Sequence, residues 1–262
     1  YELPRAVTFD HEIARILATL GIDSETDPTI GSCSDDYYWR NRHGQNLQIV
    51  DWTSRSGSEW QVRYWINQPL LEKRLLKVAA TTPNVQIVRG WDGVSITQDS
   101  DGVSMTIQRN PEEVGPDGET RLVRSKFLVG ADGANSFVRE TLGLENEDRG
   151  YFFDWLILDM IPKFDYVASR GKEPANWQLC DPARPTTIVP GGPGPVEGGP
   201  DRRRWEYMLL PGETVEEMQT PEKAWELLAP WGLTPENAEL ERSAVYTFQA
   251  RWAKKWSVGR CM

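Results

Sequence analysis

The sequence predicts a mixed α/β protein in which a helix-and-strand domain is interleaved with a mostly antiparallel β-sheet domain. Segments that pair a helix with strands give way to purely strand segments and return again, so the chain crosses between the two domains several times. No internal repeat appears. With hydrophobic residues at 39% of 262 positions, the chain can bury a sizeable core.

The first helix begins after Asp10, a good N-cap, and carries Ile13, Ile16, Leu17 and Leu20 at helical spacing, with Gly21 placed to end it. Strands follow at Tyr37–Trp39, Leu47–Val50 and Val62–Trp65, separated by Asn41-Arg42-His43-Gly44 and a Ser/Gly loop at 54–58. A second helix opens at Asn67 or Gln68, with Pro69 tolerated in its first turn and Leu71, Leu75 and Val78 on one face. A meander comes next: Val85–Val88, then Val94 and Ile96, a turn at Asp99–Gly102, and Val103, Met105 and Ile107 in alternation. After a polar loop with Pro111, Pro116, Asp117 and Gly118, the run Phe127-Leu128-Val129 is apolar without alternation and reads as a strand covered on both faces. The rest is strand-rich to Pro211, then helical after Thr220-Pro221-Glu222 and again after Thr234-Pro235-Glu236, with Trp225, Leu227 and Leu228 as a core stripe between. Pro190–Pro200, rich in Gly and Pro, reads as a mobile loop; its GGPG lacks the Lys-Ser/Thr and helix start of a phosphate loop.

The net charge of −10 argues against nucleic acid as a partner, since phosphate neutralisation needs a dense cationic face. The basic run Arg202-Arg203-Arg204 reads as a solvated strand end, with an anion site as the alternative. Cys33, Cys180 and Cys261 are odd in number and far apart, which fits neither a disulfide framework nor a zinc site and suits a reducing cytoplasm. His11 and His43, the two histidines, have no second ligand at metal spacing, so no metal site is expected. The densest apolar stretch, Trp155–Leu158, falls far short of the roughly 20 residues of a spanning helix, and no membrane association is expected. Tyr1 is not an initiator Met and the chain halts at Met262 without a tail composition, which reads as a cut-out of a longer protein.

One segment carries chemistry. From Phe127 to Arg139 a strand passes through the glycine turn Gly130-Ala131-Asp132-Gly133 into a helix ending near Gly143. Gly133 lets a ligand approach the backbone, and a helix start offers free N–H groups to a phosphate; a purely structural turn accounts for the same residues.

The stretch Leu128–Ser136, with Arg139 three residues on, resembles the Asp-Gly motif of the FAD-dependent aromatic hydroxylases typified by p-hydroxybenzoate hydroxylase. Pro4-Arg5-Ala6-Val7 leading to Asp10-His11-Glu12, and Asn67-Gln68-Pro69-Leu70-Leu71-Glu72, agree in order and spacing. Gln178–Pro182 and Arg203–Glu213 most resemble the 3-(3-hydroxyphenyl)propionate hydroxylase branch.

The resemblance implies an FAD-binding domain built from residues 1–27, 68–150 and 251–262, and a substrate-binding sheet domain from 28–67 and 151–250. It also implies hydroxylation of a phenolic ring by a flavin C4a-hydroperoxide, with NAD(P)H and molecular oxygen as co-substrates. Arg5 would contact the adenosine-diphosphate side of FAD, Gln68 the ribityl-phosphate chain, Asp132 and Gly133 would form the turn near the pyrophosphate, and Arg139 would attract the nicotinamide nucleotide. Ordinary surface roles for Arg5 and Arg139, and capping for Gln68, stay open. Trp177, Tyr207 and Tyr246, with Trp155, Trp205 and Phe248, lie in strands that could roof an aromatic pocket, although large aromatics also dominate cores. No catalytic side chain has a local signature. A flavin halogenase or epoxidase of the same fold, or a non-catalytic binding module, are the alternatives, and a homodimer is left open. The family pattern extends beyond both ends, so residues 1–262 alone are expected to purify without stoichiometric FAD and to expose Leu71, Leu75 and Val78.

Overall fold

Residues 4–110, 118–194 and 201–262 are described by a computed structural model. In chain order the strands are β1 (Thr8–Asp10), β2 (Ile30–Ser32), β3 (Tyr37–Asn41), β4 (Asn46–Val50), β5 (Arg63–Ile66), β6 (Trp91–Gln98), β7 (Val103–Arg109), β8 (Thr120–Ser125), β9 (Asn146–Pro162), β10 (Asn176–Cys180), β11 (Thr186–Pro190), β12 (Arg203–Met208) and β13 (Ala238–Ala253). The helices are α1 (His11–Thr19), α2 (Gln68–Thr81), α3 (Phe137–Thr141), α4 (Tyr166–Ser169), α5 (Val215–Met218) and α6 (Pro221–Leu228). No helix among the described residues is long and apolar enough to cross a membrane.

The chain divides into two compact units that alternate along the sequence: Tyr1–Thr82 with Phe153–Phe248, and Pro83–Phe152 with Gln249–Met262. Interleaving is as expected, but the packing boundaries differ. Residues 1–27 and 68–82 join the unit of the large sheet, because α1, α2, β1 and β5 share one core of Phe9, Ala14, Leu17, Ile22, Tyr64, Ile66 and Leu71.

Local chemistry explains both long helices of this unit. The Asp10 carboxylate accepts from the N–H groups of Glu12 and Ile13 at 3.1 and 3.2 Å, so β1 leads directly into α1. Asn67 caps α2 through its side-chain oxygen and the Leu70 N–H, and its amide donates to the carbonyls of Pro193 and Gly194. The apolar stripe of α1 splits: Leu17 is buried, whereas Ile13, Ile16 and Leu20 are exposed. The expected exposure on α2 does not occur. Leu71 is buried and Leu75 and Val78 pack against the shared core, since β1 and β5 already supply the apolar surface they need.

The large sheet has seven strands in the order β13-β9-β12-β11-β10-β3-β4. Strands β3 and β10 run parallel, while β10–β11, β11–β12, β12–β9 and β3–β4 are antiparallel. Strand alternation divides its side chains. Trp177, Ile188, Trp205 and Leu158 share one register row, and Tyr207 pairs with Leu156; these, with Tyr166, Met218, Ala224, Leu228 and Leu233, form the core beneath α4–α6. The next row, Trp39, Gln178, Thr187, Glu206 and Ile157, faces the other side.

The run Arg202–Arg204 corrects the expectation of a solvated strand end: all three are buried. Alternation sends neighbours to opposite faces, where each finds partners. Arg204 makes a bidentate pair with Asp159 at 2.7 and 2.9 Å, and Arg202 pairs with Glu241. Arg203 donates to the Ala175 carbonyl and lies over the Tyr166 ring; burial lowers its pKa to about 10.

Further expectations change. Val85–Val88 is not a strand; its apolar side chains are exposed and no neighbouring strand pairs with it among the described residues. The strand between the polar loop and Phe127 is β8, closing a β6-β7-β8 sheet. Phe127 and Val129 are exposed rather than covered, because residues 260–262 are all that pairs with this run among the described residues. Thr234–Asn237 forms a turn, not a helix: the Asn237 side chain accepts from the Thr234 N–H and the chain enters β13 at once. Gly191, Gly192 and Gly194 in the loop expected to be mobile are buried, with Gly191 and Arg202 paired through their backbones; residues 195–200, like Pro111, Pro116 and Asp117, lie outside the described residues.

At the end of β12, Glu213 takes a bidentate pair from Arg184 and accepts from the Leu210 N–H. The Arg184 hydrogen bonds hold its carboxyl below the ordinary value of 4.5, against the opposing effect of burial. A depressed folded pKa stabilises above the unfolded value and loses that contribution as pH falls through the folded one. Glu213→Gln is therefore expected to lower the thermal midpoint near neutrality and to make no difference in strong acid, as a melting series against pH would record.

Candidate functional site

The Asp-Gly turn lies in the second unit. Phe127–Gly130 runs alongside residues 260–262, with Leu128 N–H donating to the Arg260 carbonyl, Met262 N–H to that of Leu128 and Gly130 N–H to that of Met262. A side chain on Gly130 would sit 2.7 Å from the Cβ of Val138, so the turn packs only with glycine there. Gly133 has φ +82°, and the space where its side chain would project is open.

The Asp132 carboxylate accepts from the Val138 N–H at 3.0 Å. Burial works to raise its pKa, but hydrogen bonds from Ser136 and from the Val138 and Phe137 backbone outweigh it, and the net shift is down. Ser136 Oγ caps α3 by accepting from the Arg139 N–H, and the Arg139 guanidinium donates to the Ala134 carbonyl at 2.7 Å and pairs with Glu140. This narrows one expectation: α3 is five residues long and two of its first N–H groups, those of Val138 and Arg139, are already taken by Asp132 and Ser136, so the helix start has fewer donors to offer a phosphate. What stays open is the backbone at Gly133.

Arg5 and Gln68 lie in the first unit. Gln68 Oε1 accepts from the N–H groups of Arg5 and Ala6 at 2.8 and 2.7 Å, and its amide nitrogen donates to Glu72. Arg204 donates to the carbonyls of Arg5 and Pro4, and Arg242 donates to that of Pro4 as well. The backbone at Arg5 is thus held on both edges while its side chain is exposed.

A cleft of about 620 Å³ opens on the sheet face opposite the α4–α6 core. Trp39, Trp155 and Phe248 supply its aromatic walls; Gln178, Thr187 and Glu206 cross its floor on adjacent strands, and Cys180 and Asp181 lie at one end. Gln178 Oε1 accepts from Thr187 Oγ1 at 2.6 Å and from Tyr37 Oη at 3.3 Å, which leaves its amide nitrogen without an acceptor among the described residues. Burial, with a contribution from the Asp159 charge, raises the Glu206 pKa against the influence of Arg204. Asp181 is paired with Arg42 at 3.0 Å.

Of the aromatic candidates, Trp155 and Phe248 line the cleft. Tyr207 is 2% exposed, its hydroxyl donates to the Leu227 carbonyl, and burial raises its pKa strongly; Trp177 packs edge-on to Trp231 over the same core. Both sit on the opposite face of the sheet. Tyr246 lies two residues from Phe248 under the Arg242 guanidinium and is not among the cleft-lining residues. The overlooked residues are Trp39, Gln178, Thr187 and Glu206. The sequence holds a signal for two of them: in Trp177-Gln178-Leu179 and Trp205-Glu206-Tyr207 a polar residue between core-bound neighbours must face the other way.

Among curated proteins the chain is 33% identical over 256 residues to a probable NADH-specific resorcinol 4-hydroxylase of Rhodococcus jostii, covering 98% of this chain and 45% of the relative. It is 31% identical over 266 residues to a 3-(3-hydroxyphenyl)propionate/3-hydroxycinnamic acid hydroxylase of Paraburkholderia xenovorans, covering 100% of this chain and 39% of the relative. The chain thus spans less than half the length of these relatives. The fold superposes on p-nitrophenol 4-monooxygenase from Pseudomonas putida with a TM-score of 0.78 at 21% identity, over 99% of this chain and 62% of that one. An aklavinone-11 hydroxylase solved with FAD and aklavinone gives 0.75 at 24% identity, over 100% and 49%. The profile of the FAD binding domain family matches residues 1–262 throughout, and the chain belongs to that family.

Proposed function

We propose that this chain serves an FAD- and NADH-dependent monooxygenase that hydroxylates a phenolic ring, with dioxygen as co-substrate. The observation that carries the reading is the cleft: three aromatic walls over a hydrogen-bonding floor, on the sheet face away from the packed core, in a chain of the FAD binding domain family. Its volume suits a small aromatic ligand, for which pockets of roughly 300–1,000 Å³ are usual. The relatives' names supply the co-substrate and the phenolic class.

Each unit, taken by itself, offers residues that suit a flavin nucleotide. Gly133 combines a backbone conformation that needs glycine with open space for a ligand to pass close, and Arg5 presents an exposed guanidinium suited to phosphate oxygens. Asp132 is held as a carboxylate and spent on the Val138 N–H, so it shapes the turn instead of touching a pyrophosphate. Gln68 acts on FAD by fixing the Arg5 backbone, and Arg139 offers charge to a nicotinamide nucleotide from the same turn as Gly133. Bound FAD, once reduced, supplies the oxygen activation.

This chain's own residues do the rest. Trp39, Trp155 and Phe248 fix the plane of the ring and keep water off it, and the Gln178 amide can donate to a phenolic oxygen. Glu206 is the group on the floor able to take the phenolic proton, and its raised pKa brings it nearer to that of the phenol. The three cysteines are free, which suits a cytoplasmic setting.

The test uses the intact protein with FAD, NADH and resorcinol under isotopically labelled dioxygen. The expected product carries one labelled oxygen per added hydroxyl, with NADH consumption raised by the phenol. A product labelled from water, or NADH consumption indifferent to any phenol, would overturn the reading.

A further inference from the structure

We infer that the cleft selects a phenol without an ionised substituent and discriminates against one carrying a carboxylate side chain. The inference rests on the cleft being the substrate site and goes on to name what it accepts.

The argument is one of charge. The lining contributes two carboxylates, Glu206 and Asp181, and no lysine or arginine. The cations nearby are committed elsewhere. Arg42 pairs with Asp181, and Arg204, 3.8 Å from Glu206, is spent on a bidentate pair with Asp159 and on the carbonyls of Pro4 and Arg5. Arg40 hydrogen-bonds Asn46 and lies over the rings of Tyr38 and Trp177. A ligand carboxylate entering the cleft would meet Glu206 with no free guanidinium to accept it, in surroundings where two like charges are poorly screened. A phenolic hydroxyl, in contrast, can donate to Glu206 and accept from the Gln178 amide. Site groups that reject a charge by leaving it unpaired are an effective source of selectivity.

The experiment is a calorimetric titration of the intact, FAD-loaded protein at mildly alkaline pH, with resorcinol as the neutral probe and 3-(3-hydroxyphenyl)propionate as the carboxylated one. The neutral probe is expected to bind at least about ten-fold more tightly. In Glu206→Gln the ratio between the two probes should shrink several-fold, chiefly because the carboxylated probe gains. Thr187→Val serves as the second variant: it loosens Gln178 without changing charge, so it should weaken the neutral probe and leave the carboxylated one still the poorer ligand. Equal or tighter binding of the carboxylated probe to the unaltered protein would overturn the inference while leaving the cleft as the binding site. A ratio unmoved by Glu206→Gln would overturn it equally, by removing its physical cause. If neither probe binds, the cleft is not the substrate site, and the proposed function loses its carrying observation as well.

Discussion

Asp159→Ala is expected to destabilise the protein by about 3–5 kcal/mol, the usual cost of removing one partner from a buried ion pair. Asp159 has no exposed surface and answers two buried guanidiniums, Arg204 at 2.7 and 2.9 Å and Arg242 at 3.7 Å. Glu206 approaches Arg204 only to 3.8 Å and cannot replace the bidentate geometry. With alanine at 159, two like charges on β12 and β13 would share a buried site with carbonyl oxygens and the more distant Glu206 carboxylate for partners. Burial already lowers the Arg242 pKa, a sign that the site tolerates its charge poorly. Equilibrium denaturation by urea measures the loss. The double variant Asp159→Leu with Arg204→Met should recover part of it, since it removes one of the two guanidiniums left unpaired, while Arg242 still lacks its carboxylate. A loss below about 1 kcal/mol in the single variant would show that the arginines find other partners.

What the sequence revealed about this fold was mostly local. Asp10 and Thr220 cap their helices as the sequence indicates, α2 opens at the Asn67-Gln68 step, with Asn67 and not Gln68 as its cap, and Asp99 binds the N–H groups of Asp101 and Gly102 in the anticipated turn. Such contacts span a few residues, so residue type and spacing disclose them. The errors concern partners distant in the chain. Arg202–Arg204 reads as one basic patch until strand alternation and Asp159, 45 residues from Arg204, divide it between two faces. Tyr207 and Trp177 have the chemistry of ligand-facing residues, but which face of a strand is open depends on pairing register, and one residue of parity puts Gln178 and Glu206 on the cleft face instead. Val85–Val88 has the composition of a strand and lacks a pairing neighbour among the described residues. The Asp-Gly turn was legible as a turn. That Asp132 and Ser136 take two of the α3 donors was not, because it depends on where the helix starts.

The second large effect concerns that turn. Asp132→Ala removes the acceptor of the Val138 N–H, a charge-assisted hydrogen bond of about 1.5–3 kcal/mol, and frees the loop that presents Gly133. If this energy is lost from cofactor binding, FAD affinity falls by about ten- to one-hundred-fold. Asp132→Asn keeps an uncharged acceptor at the same place and should lose less. Gly133→Val tests the other half of the claim: the side chain would enter the open space beside the turn and force a β-branched residue to φ +82°. The most direct measurement is a fluorescence titration of FAD into the intact protein and its Asp132→Ala, Asp132→Asn and Gly133→Val variants, with thermal midpoints recorded in parallel. FAD bound by the unaltered protein, and lost in the order Asn, then Ala, with Val at least as damaging while the folded state persists, is the result expected here. FAD affinity indifferent to all three changes would place the cofactor away from this turn and contradict the account.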